Sequence, residues 1–564
     1  MMRETLRFLA SPVTGLQSAV YILAASALSS SLLALVRDRL FAHTFGAGAE
    51  LDLYYAAFRI PDLLFVATGA LVSVYILIPE LLRRDSNQQN EYVDTIVIGF
   101  SGLATLLCAL AALFAPSILI KLFPTLAEGH LGELTALTRI MLLQPILLGL
   151  SNILAAITQI RGRYLLYAIS PILYNIGIIG GLLILYPILG LPGLAWGVVL
   201  GSLLHVGIQI PSVVDDGFLR SVPRFRVPRA LLETVSVSIP RALALSMNQV
   251  TFIGLLSIAS SFATGSIAVF MFAFNLMSVP LAVIGASYSV AAFPTLASAL
   301  SLGKMAEFID YVSKAARYVL FWSLPALGLI IVLRAHLVRV VLGSGSFDWT
   351  DTRLTAAVFA LLSISLAAQG LTLLLTRAYY AAGRTFVPFL IAVVSSIGTI
   401  LLALYLANLV NAANVLSVVQ SAMRLEGVSG SSVIVLGFSY AAISILSTLM
   451  LLGHFEWRFP GLIARILEAL WQAILAALAA ALASYGVLVL VGPLTLSSTL
   501  LSVFLRGFAA GLVGLSTAAI VYALLQNREF AETVAGIRAK FWKEPAPPLQ
   551  PIASAEEISP SSPQ

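Results

Sequence analysis

Long apolar runs recur along this sequence from end to end. Uncharged stretches of more than twenty residues, such as 95–120 and 469–505, are separated by short polar connections. A helix of roughly 20 apolar residues crosses the hydrocarbon core of a bilayer, and a helix satisfies its backbone hydrogen bonds within itself there. Charged residues make up 10% of the chain, against about 25% in soluble domains. The sequence therefore predicts an all-α polytopic membrane protein.

The apolar runs predict fourteen spans, two of which contain the internal prolines Pro61 and Pro280. A proline in a membrane helix frees a carbonyl that neighbours must satisfy. The predicted spans are 14–41, 52–82, 92–118, 132–160, 164–187, 192–213, 232–262, 266–299, 312–343, 353–380, 386–409, 432–454, 464–491 and 500–526.

Basic residues predict which side of the membrane each loop faces, because they collect in cytoplasmic loops. With the N-terminus inside, the loops on that side hold residues such as Arg83 and the run from Arg220 to Arg229. The opposite loops hold mainly Lys121, Arg353 and Arg424. We therefore expect both termini to be cytoplasmic. The opening MMRETLRFLASP shows no cleavable signal peptide, so the first span is expected to remain.

Residues that carry catalytic or metal chemistry are sparse. Cys108 is the only cysteine, which excludes disulfides and thiolate metal sites, and the five histidines show no metal-binding spacing. The sequence contains no phosphate loop ending in Gly-Lys-Ser/Thr. The net charge of +6 falls in short loops, where it sets topology and does not indicate nucleic-acid binding. These features predict a transporter with no catalytic residues, cofactor, metal or nucleic-acid partner.

Two segments recur with an offset of about 220 residues. FGAGAELDLYYAAFRIPDLL (Phe45 to Leu64) is echoed by FATGSIAVFMFAFNLMSVPL (Phe262 to Leu281), and RYLLYAISPILYNIG (Arg163 to Gly177) is echoed by RTFVPFLIAVVSSIG (Arg384 to Gly398). The offset corresponds to six spans, an even number, so the copies are predicted to be parallel. Such repeats occur in transporters whose site lies between two rocking halves.

The repeat predicts how the chain is divided. The halves are six-helix lobes, and the two spans beyond them look like an addition. Pro- and Ser-rich composition predicts disorder for most of the tail. The predicted units are an N-terminal lobe (1–213), a basic cytoplasmic linker (214–231), a C-terminal lobe (232–454), helices 13 and 14 (464–526) and a cytoplasmic, largely disordered tail (527–564).

Charged residues inside predicted spans mark the candidate site, and they concentrate between Val36 and Pro79. A charge at the bilayer centre costs roughly 2.5–3.5 kcal/mol, so such residues usually face a cavity or a partner. Arginine stays charged and matches phosphate bidentately, which predicts an anionic headgroup as ligand. The alternatives are structural ion pairs, Arg37 with Asp52 or Arg59 with Asp62, or an extension of Arg37 and Arg39 to the outer interface. The candidate cavity residues are Arg37, Asp38, Asp52, Arg59, Arg241, Gln249 and Asn275.

The stretch VRDRLFAHTFGAGAELDLYYAAFRIPDLL, closing at Pro79, resembles the signature of the MurJ (MviN) lipid II flippases of the MOP exporter superfamily. The segments SIPRALALSMNQVTFIG, GSFDWTDTRLT and RAYYAAGRTFVP follow in that family's order. The resemblance covers nearly the whole chain. It implies a V-shaped protein of the bacterial inner membrane that moves undecaprenyl-pyrophosphate-linked peptidoglycan precursor outward by alternating access. It also implies that helices 13 and 14 form a groove for the lipid tail.

Residue by residue, the resemblance assigns Arg37, Asp38, Asp52 and Gln249 to the family's motif, with Arg59 at its basic position before the proline. The sequence departs from that motif in several places. The family's usual arginines are replaced by Ser31, by Phe65 and Val66, and by Asn275, the last where a substrate-binding arginine is expected. Some members carry a sodium site on helices 7, 11 and 12, and predicted spans 11 and 12 contain no carboxylate here.

The sequence favours a lipid II flippase that acts as a monomer on an anionic lipid-linked substrate, with contact to the cell-wall synthesis machinery left open. Arg37, Arg59 and Arg241 are expected to bind the pyrophosphate-sugar head, and a membrane potential or an ion gradient would supply the energy. Two alternatives come from the same superfamily: a flippase for another polyprenyl-linked oligosaccharide and a multidrug antiporter. A transport-inactive membrane scaffold is the alternative from another class.

Overall fold

The computed structural model describes residues 16–412, 420–421, 423, 425–492 and 498–541, and within these ranges every regular element is a helix. The prediction of an all-α membrane protein is confirmed. The side chain of Arg241 lies outside the described residues, as do all residues of the predicted tail beyond 541.

The helices divide into those before and those after the predicted basic linker. The first group is α1 (Leu16–Phe45), α2 (Ala49–Ala57), α3 (Arg59–Gly69), α4 (Val74–Leu82), α5 (Ser86–Leu122), α6 (Pro124–Met141), α7 (Leu143–Ile160), α8 (Tyr164–Gly180), α9 (Tyr186–Leu189), α10 (Leu191–Gly207) and α11 (Ile210–Asp215). The second group is α12 (Pro228–Ala259), α13 (Ser266–Leu281), α14 (Ser287–Ser301), α15 (Met305–Leu342), α16 (Trp349–Ser363), α17 (Leu366–Ala381), α18 (Phe386–Ala412), α19 (Ile434–Arg458), α20 (Leu462–Val491), α21 (Leu500–Leu524) and α22 (Arg528–Phe541).

Eleven helices in the described ranges are long and apolar enough to cross a membrane, or twelve when the pair α16 and α17, bent by 45°, is counted as one span. The predicted number of fourteen is not confirmed and stays a prediction. The two predicted spans absent from the twelve are the first, 14–41, and the second, 52–82. The second differs from its prediction because it is divided into three short helices.

The predicted second span is broken twice, at Phe58 and over residues 70–73. Pro61 lies in the first turn of α3, where a missing N–H costs no helical hydrogen bond. At the second break Ser73 is extended, with ψ 145°. The carbonyl of Leu71 at this break lies 3.4 Å from Ser238 Oγ of α12, whose hydroxyl lies closer, at 2.5 Å, to the carbonyl of Thr234 on its own helix. A helix from the other half of the chain therefore packs beside the unwound backbone.

Three glycine loops meet at one end of the bundle, which we call the Gly46 end. They contain Gly46, Gly265 and Gly345. They are joined by contacts such as the hydrogen bond from Ser346 N to His43 O at 2.9 Å. We call the opposite end, which carries residues 216–227, the Arg220 end. The predicted topology would place the Gly46 end outside the cell and the Arg220 end in the cytoplasm.

Buried apolar side chains form one cluster that draws on both halves and lies around the Gly46 end. Its rings include Phe272, whose centroid lies 6.2 Å from Tyr55 and 5.8 Å from Phe347. Two further clusters draw on one part of the chain each, residues 72–231 and residues 288–470. The division into lobes stays a prediction, and the packing around the Gly46 end fixes where residues of the two copies meet.

The end of the described chain is a docked helix, although the sequence predicted a largely disordered tail from 527 onwards. Helix α22 packs against α15 through two ion pairs, Glu529 with Arg317 at 2.8 Å and Glu532 with Lys314 at 3.0 Å. Glu529 is almost completely buried. The Pro- and Ser-rich remainder, on which the prediction of disorder rested, lies beyond the described residues.

Candidate functional site

Arg37 and Asp38 stand at the centre of a polar cluster that joins the two copies of the repeat. Both residues lie on α1, and Arg37 donates from Nε and Nη2 to Asp38 Oδ1 at 3.0 and 2.8 Å. The other carboxylate oxygen, Oδ2, accepts from Asn275 Nδ2 of α13 at 2.9 Å. Asn175 of α8 completes the cluster, because its Oδ1 accepts from Arg37 Nη1 at 3.1 Å. The predicted candidates Arg37, Asp38 and Asn275 are therefore in direct contact.

Burial makes this cluster energetically important. The Asp38 side chain is 3% exposed, whereas that of Arg37 is 19% exposed. A carboxylate removed from water must be paired and hydrogen-bonded. Asp38 is paired with Arg37 on its own helix and accepts a hydrogen bond from Asn275 in the second copy of the repeat. The side chain of Arg37 is thus less buried than the carboxylate it pairs with, although all three of its guanidinium nitrogens are hydrogen-bonded.

Arg59 forms the second group of the candidate site. Its Nη2 lies 3.3 Å from Asp62 Oδ2, and its Nε donates to the carbonyl of Tyr55 at 3.1 Å. The guanidinium carbon lies 5.8 Å from the centre of the Phe252 ring, within the range of a cation–π contact. Gln144 of α7 donates to Asp62 Oδ1 at 3.4 Å. The ion pair that the sequence analysis kept as an alternative is thus present.

Two buried polar atoms beside these groups have no hydrogen-bond partner among the described residues. They are the hydroxyl oxygen of Tyr55 and Oε1 of Gln144. Because an unsatisfied buried polar group is costly, these two atoms are candidates to contact a polar ligand.

Asp52 lies apart from both groups and caps a helix of the other copy. Its carboxylate accepts from the backbone N–H of Gly265 at 2.6 Å and from that of Ala268 at 2.8 Å, at the start of α13. The first amides of a helix lack internal partners and carry a partial positive charge. Both oxygens of Asp52 are therefore engaged in joining the copies, and its predicted role in binding substrate remains a prediction.

Three further contacts join the same loops, and together with the Asp52 cap we call them the Gly46-end latch. Arg39 donates to the carbonyls of Val340 and Val341 at 2.7 and 3.1 Å, at the negative end of α15. Asp351 Oδ2 of α16 accepts from the backbone N–H of Ala47 at 3.1 Å. The Ser346 N to His43 O bond completes the latch. The two halves of the chain are thus held together at this end.

Gly265 explains why the latch can close so tightly. Its φ of +89° is a left-handed conformation that favours glycine. A Cβ placed on Gly265 would also overlap the carbonyl oxygen of Ala47. Any larger residue would therefore separate the two loops and displace the amide that Asp52 binds.

The remaining candidates lie on α12. Gln249 is half-buried, and nothing in the described contacts ties it to Arg37 or Arg59. Its neighbour Asn248 lines a cavity of about 420 Å³ within the second half of the chain. Thr251, Gln369 and Tyr440 also line that cavity. Arg241 belongs to α12 as well, and because its side chain lies outside the described residues its predicted role stays a prediction.

The positions where the family's arginines are replaced lie outside this network. Ser31 Oγ donates to the carbonyl of Ala27 at 2.9 Å on an exposed face of α1. Phe65 and Val66 lie on α3 and are half-buried, and Phe65 packs near Gly69. Asn275 is the exception, because it contacts Asp38 directly.

Sequence reasoning did not identify three residues that the structure places in the network. Asn175 lies within RYLLYAISPILYNIG, one of the recurring segments, so the repeat could have marked it as a candidate site residue. Asp351 lies in GSFDWTDTRLT, where its spacing from Asp348 marks a helix start. Ser346 contacts the α1 end through its backbone N–H to His43 O and through Oγ to Thr44 O, and no sequence pattern marked either contact.

Comparison with known proteins agrees with this architecture. The chain is 28% identical over 371 residues to a probable lipid II flippase MurJ from Buchnera aphidicola, with 64% of this chain and 72% of that protein covered. It is 26% identical over 383 residues to a lipid II flippase MurJ from Burkholderia cenocepacia, with 65% and 73% covered.

Solved structures show the same fold. A lipid II flippase MurJ in an inward closed conformation superposes with a TM-score of 0.69 at 21% identity, covering 90% of this chain and 100% of that one. An inward-facing multidrug resistance transporter of the MATE family and MOP superfamily gives 0.60 at 13% identity, covering 77% and 96%.

A sequence model of the family described as lipid II flippase MurJ matches residues 41–508. This range is more than half of the chain and includes Asp52, Arg59 and Asn275, whereas Arg37, Asp38 and Arg39 precede it. The chain is therefore a member of the MurJ lipid II flippase family.

Proposed function

We propose that this protein moves lipid II, the undecaprenyl-pyrophosphate-linked peptidoglycan precursor, from the cytoplasmic to the outer leaflet of the bacterial inner membrane. The observation that carries the proposal is the network of Arg37, Asp38 and Asn275, which joins α1 of the first half to α13 of the second. Family membership supports the lipid-linked substrate, and family members are transporters rather than enzymes.

The headgroup would bind between the Arg37 and Arg59 groups. A pyrophosphate is a strong bidentate acceptor for guanidinium, and Arg37 keeps 19% exposure of its side chain while already paired with Asp38. The unused hydroxyl of Tyr55 and the unused Oε1 of Gln144 could contact hydroxyl and amide groups of the sugar. Arg241, Asp52 and Gln249 remain candidates for the same cavity.

Binding could then be coupled to alternating access through Asp38. A pyrophosphate that takes over the guanidinium of Arg37 leaves Asp38 with a buried charge held mainly by Asn275. That arrangement is unfavourable, since a buried charge without its counter-ion is costly. The contact between α1 and α13 would weaken, and the Gly46-end latch, which includes residues of α1 and the start of α13, would open toward the outer leaflet.

The test is replacement of a depleted lipid II flippase in living cells. We expect the wild-type chain to restore growth, and Arg37→Ala and Arg59→Ala to fail while the protein is still present in the membrane. Arg465→Ala is the matched control, because this arginine is exposed and paired with the exposed Asp310. Failure of the wild-type chain would overturn the function. Growth with both arginine variants would overturn the site.

Alternating access has its own test. A cysteine pair at His43 and Ser346, in a Cys108→Ala background, would lock the Gly46-end latch when oxidised. We expect oxidation to abolish complementation and a reductant to restore it. Full growth with a quantitatively cross-linked pair would contradict opening at this end.

A further inference from the structure

A cavity of about 770 Å³ lies toward the Gly46 end between α15, the start of α16 and the end of α20, away from the Arg37 and Arg59 groups. Its lining includes Arg334, His336, Trp349, Arg353 and Tyr485. The described lining residues include no Asp or Glu. The wall is therefore cationic and aromatic.

His336 indicates that the cavity is built to hold a polar group. Its side chain is 8% exposed, and its Nδ1 has no hydrogen-bond partner among the described residues. Gly507 of α21 packs closely against the base of the His336 side chain, because a Cβ added to Gly507 would lie 3.1 Å from the Cβ of His336. A buried ring nitrogen without a partner is rare in proteins, and an acceptor bound in the cavity would satisfy it as a donor.

The surroundings of the cavity favour a lipid over a free ion. Its rim includes exposed apolar side chains, with Ile331 at 37% and Val489 at 61% exposure. Tyr485, also on the rim, is 51% exposed. Aromatic residues of this kind gather at the headgroup level of a bilayer. A cationic pocket that opens onto an apolar, membrane-facing surface matches a phosphate carried by acyl chains.

We propose that this cavity binds the headgroup phosphate of an anionic membrane phospholipid. Arg334 and Arg353 supply the charge, His336 donates to a phosphate oxygen, and the acyl chains lie on the apolar rim. The proposal does not depend on which substrate binds the Arg37 and Arg59 groups, because the residues involved are different.

The experiment is native mass spectrometry of the full purified chain in detergent, titrated with phosphatidylglycerol or phosphatidylcholine. We expect phosphatidylglycerol to bind preferentially, and the double variant Arg334→Gln/Arg353→Gln to bind it about tenfold more weakly, as expected for a lost charge-assisted contact. Lys121→Gln is the matched control, because it removes an exposed positive charge at the end of α5.

Further variants keep the result interpretable. Arg353 is exposed, so Arg353→Gln alone should leave folding intact, as checked by gel filtration and circular dichroism, and it should still weaken phosphatidylglycerol binding. A loss of selectivity equal to that in Lys121→Gln would overturn the site. Competition by inorganic phosphate alone at similar concentration would show a free-anion site and would overturn the assignment to a lipid.

Discussion

The two copies of the repeated helix pair share a frame and differ in charge. Extended back to include the end of α1, the first copy (Val36 to Pro79) holds arginines and aspartates inside or beside its helices, whereas the second copy with the equivalent extension (253–294) has no charged residue. Both copies begin a helix directly after an equivalent glycine, Gly48 and Gly265. The carboxylates of the first copy bind the second, since Asp38 accepts from Asn275 and Asp52 caps α13.

The comparison shows that the first copy supplies carboxylates and the second copy supplies the N–H groups that bind them. Two copies with the same aspartates would bring like charges together at the Gly46 end. A charged copy facing a copy that offers amides and a helix N-terminus forms complementary contacts instead. The asymmetry is therefore part of how this end closes.

The largest expected effect comes from removing the carboxylate of Asp38, which contacts both Arg37 and Asn275. Asp38→Ala leaves Arg37 without its ion-pair partner, and loss of one member of a buried pair costs about 3–5 kcal/mol. We expect a large fall in thermal stability in detergent and no complementation. Asp310→Ala, from the exposed pair with Arg465, should change stability by less than about 1 kcal/mol. Equal losses in both variants would contradict a central role for Asp38.

Gly265→Ala tests the close approach between the copies. The left-handed backbone alone costs an alanine about 1–2 kcal/mol, and the overlap with Ala47 O adds an overpacking cost of about 1–3 kcal/mol. Gly383→Ala is the matched control, because its φ is +68° and no atom lies within 4 Å of an added Cβ. The variant should also slow cross-linking of the cysteine pair at His43 and Ser346. Equal stability loss in the two variants would show that backbone strain alone decides the effect.

Asn275→Ala removes the single contact that the second copy makes with Asp38. A hydrogen bond to a charged group contributes about 1.5–3 kcal/mol, so we expect a smaller loss of unfolding free energy than in Asp38→Ala. The double variant should then lose less than the sum of the two single variants, because they share one contact. Strict additivity in this cycle would contradict direct coupling of the copies.

Asp52 tests the helix cap between the copies. Asp52→Ala should cost about 0.5–2 kcal/mol, the range for loss of an N-cap residue, and Asp52→Asn should cost less because its amide oxygen can still accept. Both variants should favour the state in which the Gly46-end latch is open. Chemical labelling of a cysteine introduced at Thr44, in the Cys108→Ala background, would measure that shift; slower labelling than in the parent would contradict the cap.

The smallest effect lies outside the repeat and shows what an ordinary ion pair contributes. The hydrogen bond from Tyr318, with Lys314 and Arg528 nearby, lowers the pKa of Glu532 to about 2 from an ordinary 4.5. Its contribution to the docking of α22 is therefore present above pH 4.5 and is lost as the pH falls through about 2. After correction for the intrinsic pH dependence of amide exchange, the protection of the α22 amides should stay unchanged from pH 7 to 5 and should fall below pH 4. In Glu532→Gln the protection should be lower at neutral pH, and this fall at low pH should be absent.

The sequence predicted the fold class and much of the site, and the reasons for the misses are physical. Apolar run lengths identified most spans, and the charge anomaly between Val36 and Pro79 identified Arg37, Asp38 and Arg59. The break of the second span at 70–73 was not predictable, because the helix that packs beside it, α12, comes from another part of the chain. The cap formed by Asp52 was also missed, since the amides it binds appear in no side-chain pattern. Local periodicity predicts helices, whereas their meeting points depend on tertiary contacts.

Much of the Gly46-end latch is made of main-chain atoms: the amides of Gly265, Ala268, Ala47 and Ser346, and the carbonyls of His43, Val340 and Val341. An alanine scan leaves every one of these atoms in place. Alanine substitution would remove the side-chain partners Asp52, Arg39 and Asp351, but it would leave the bond from Ser346 N to His43 O untested. Replacing single amides by esters, which deletes the N–H while keeping the side chain, is the chemistry suited to mapping it. Protein relatives could also change most side chains around these loops and keep the same closure.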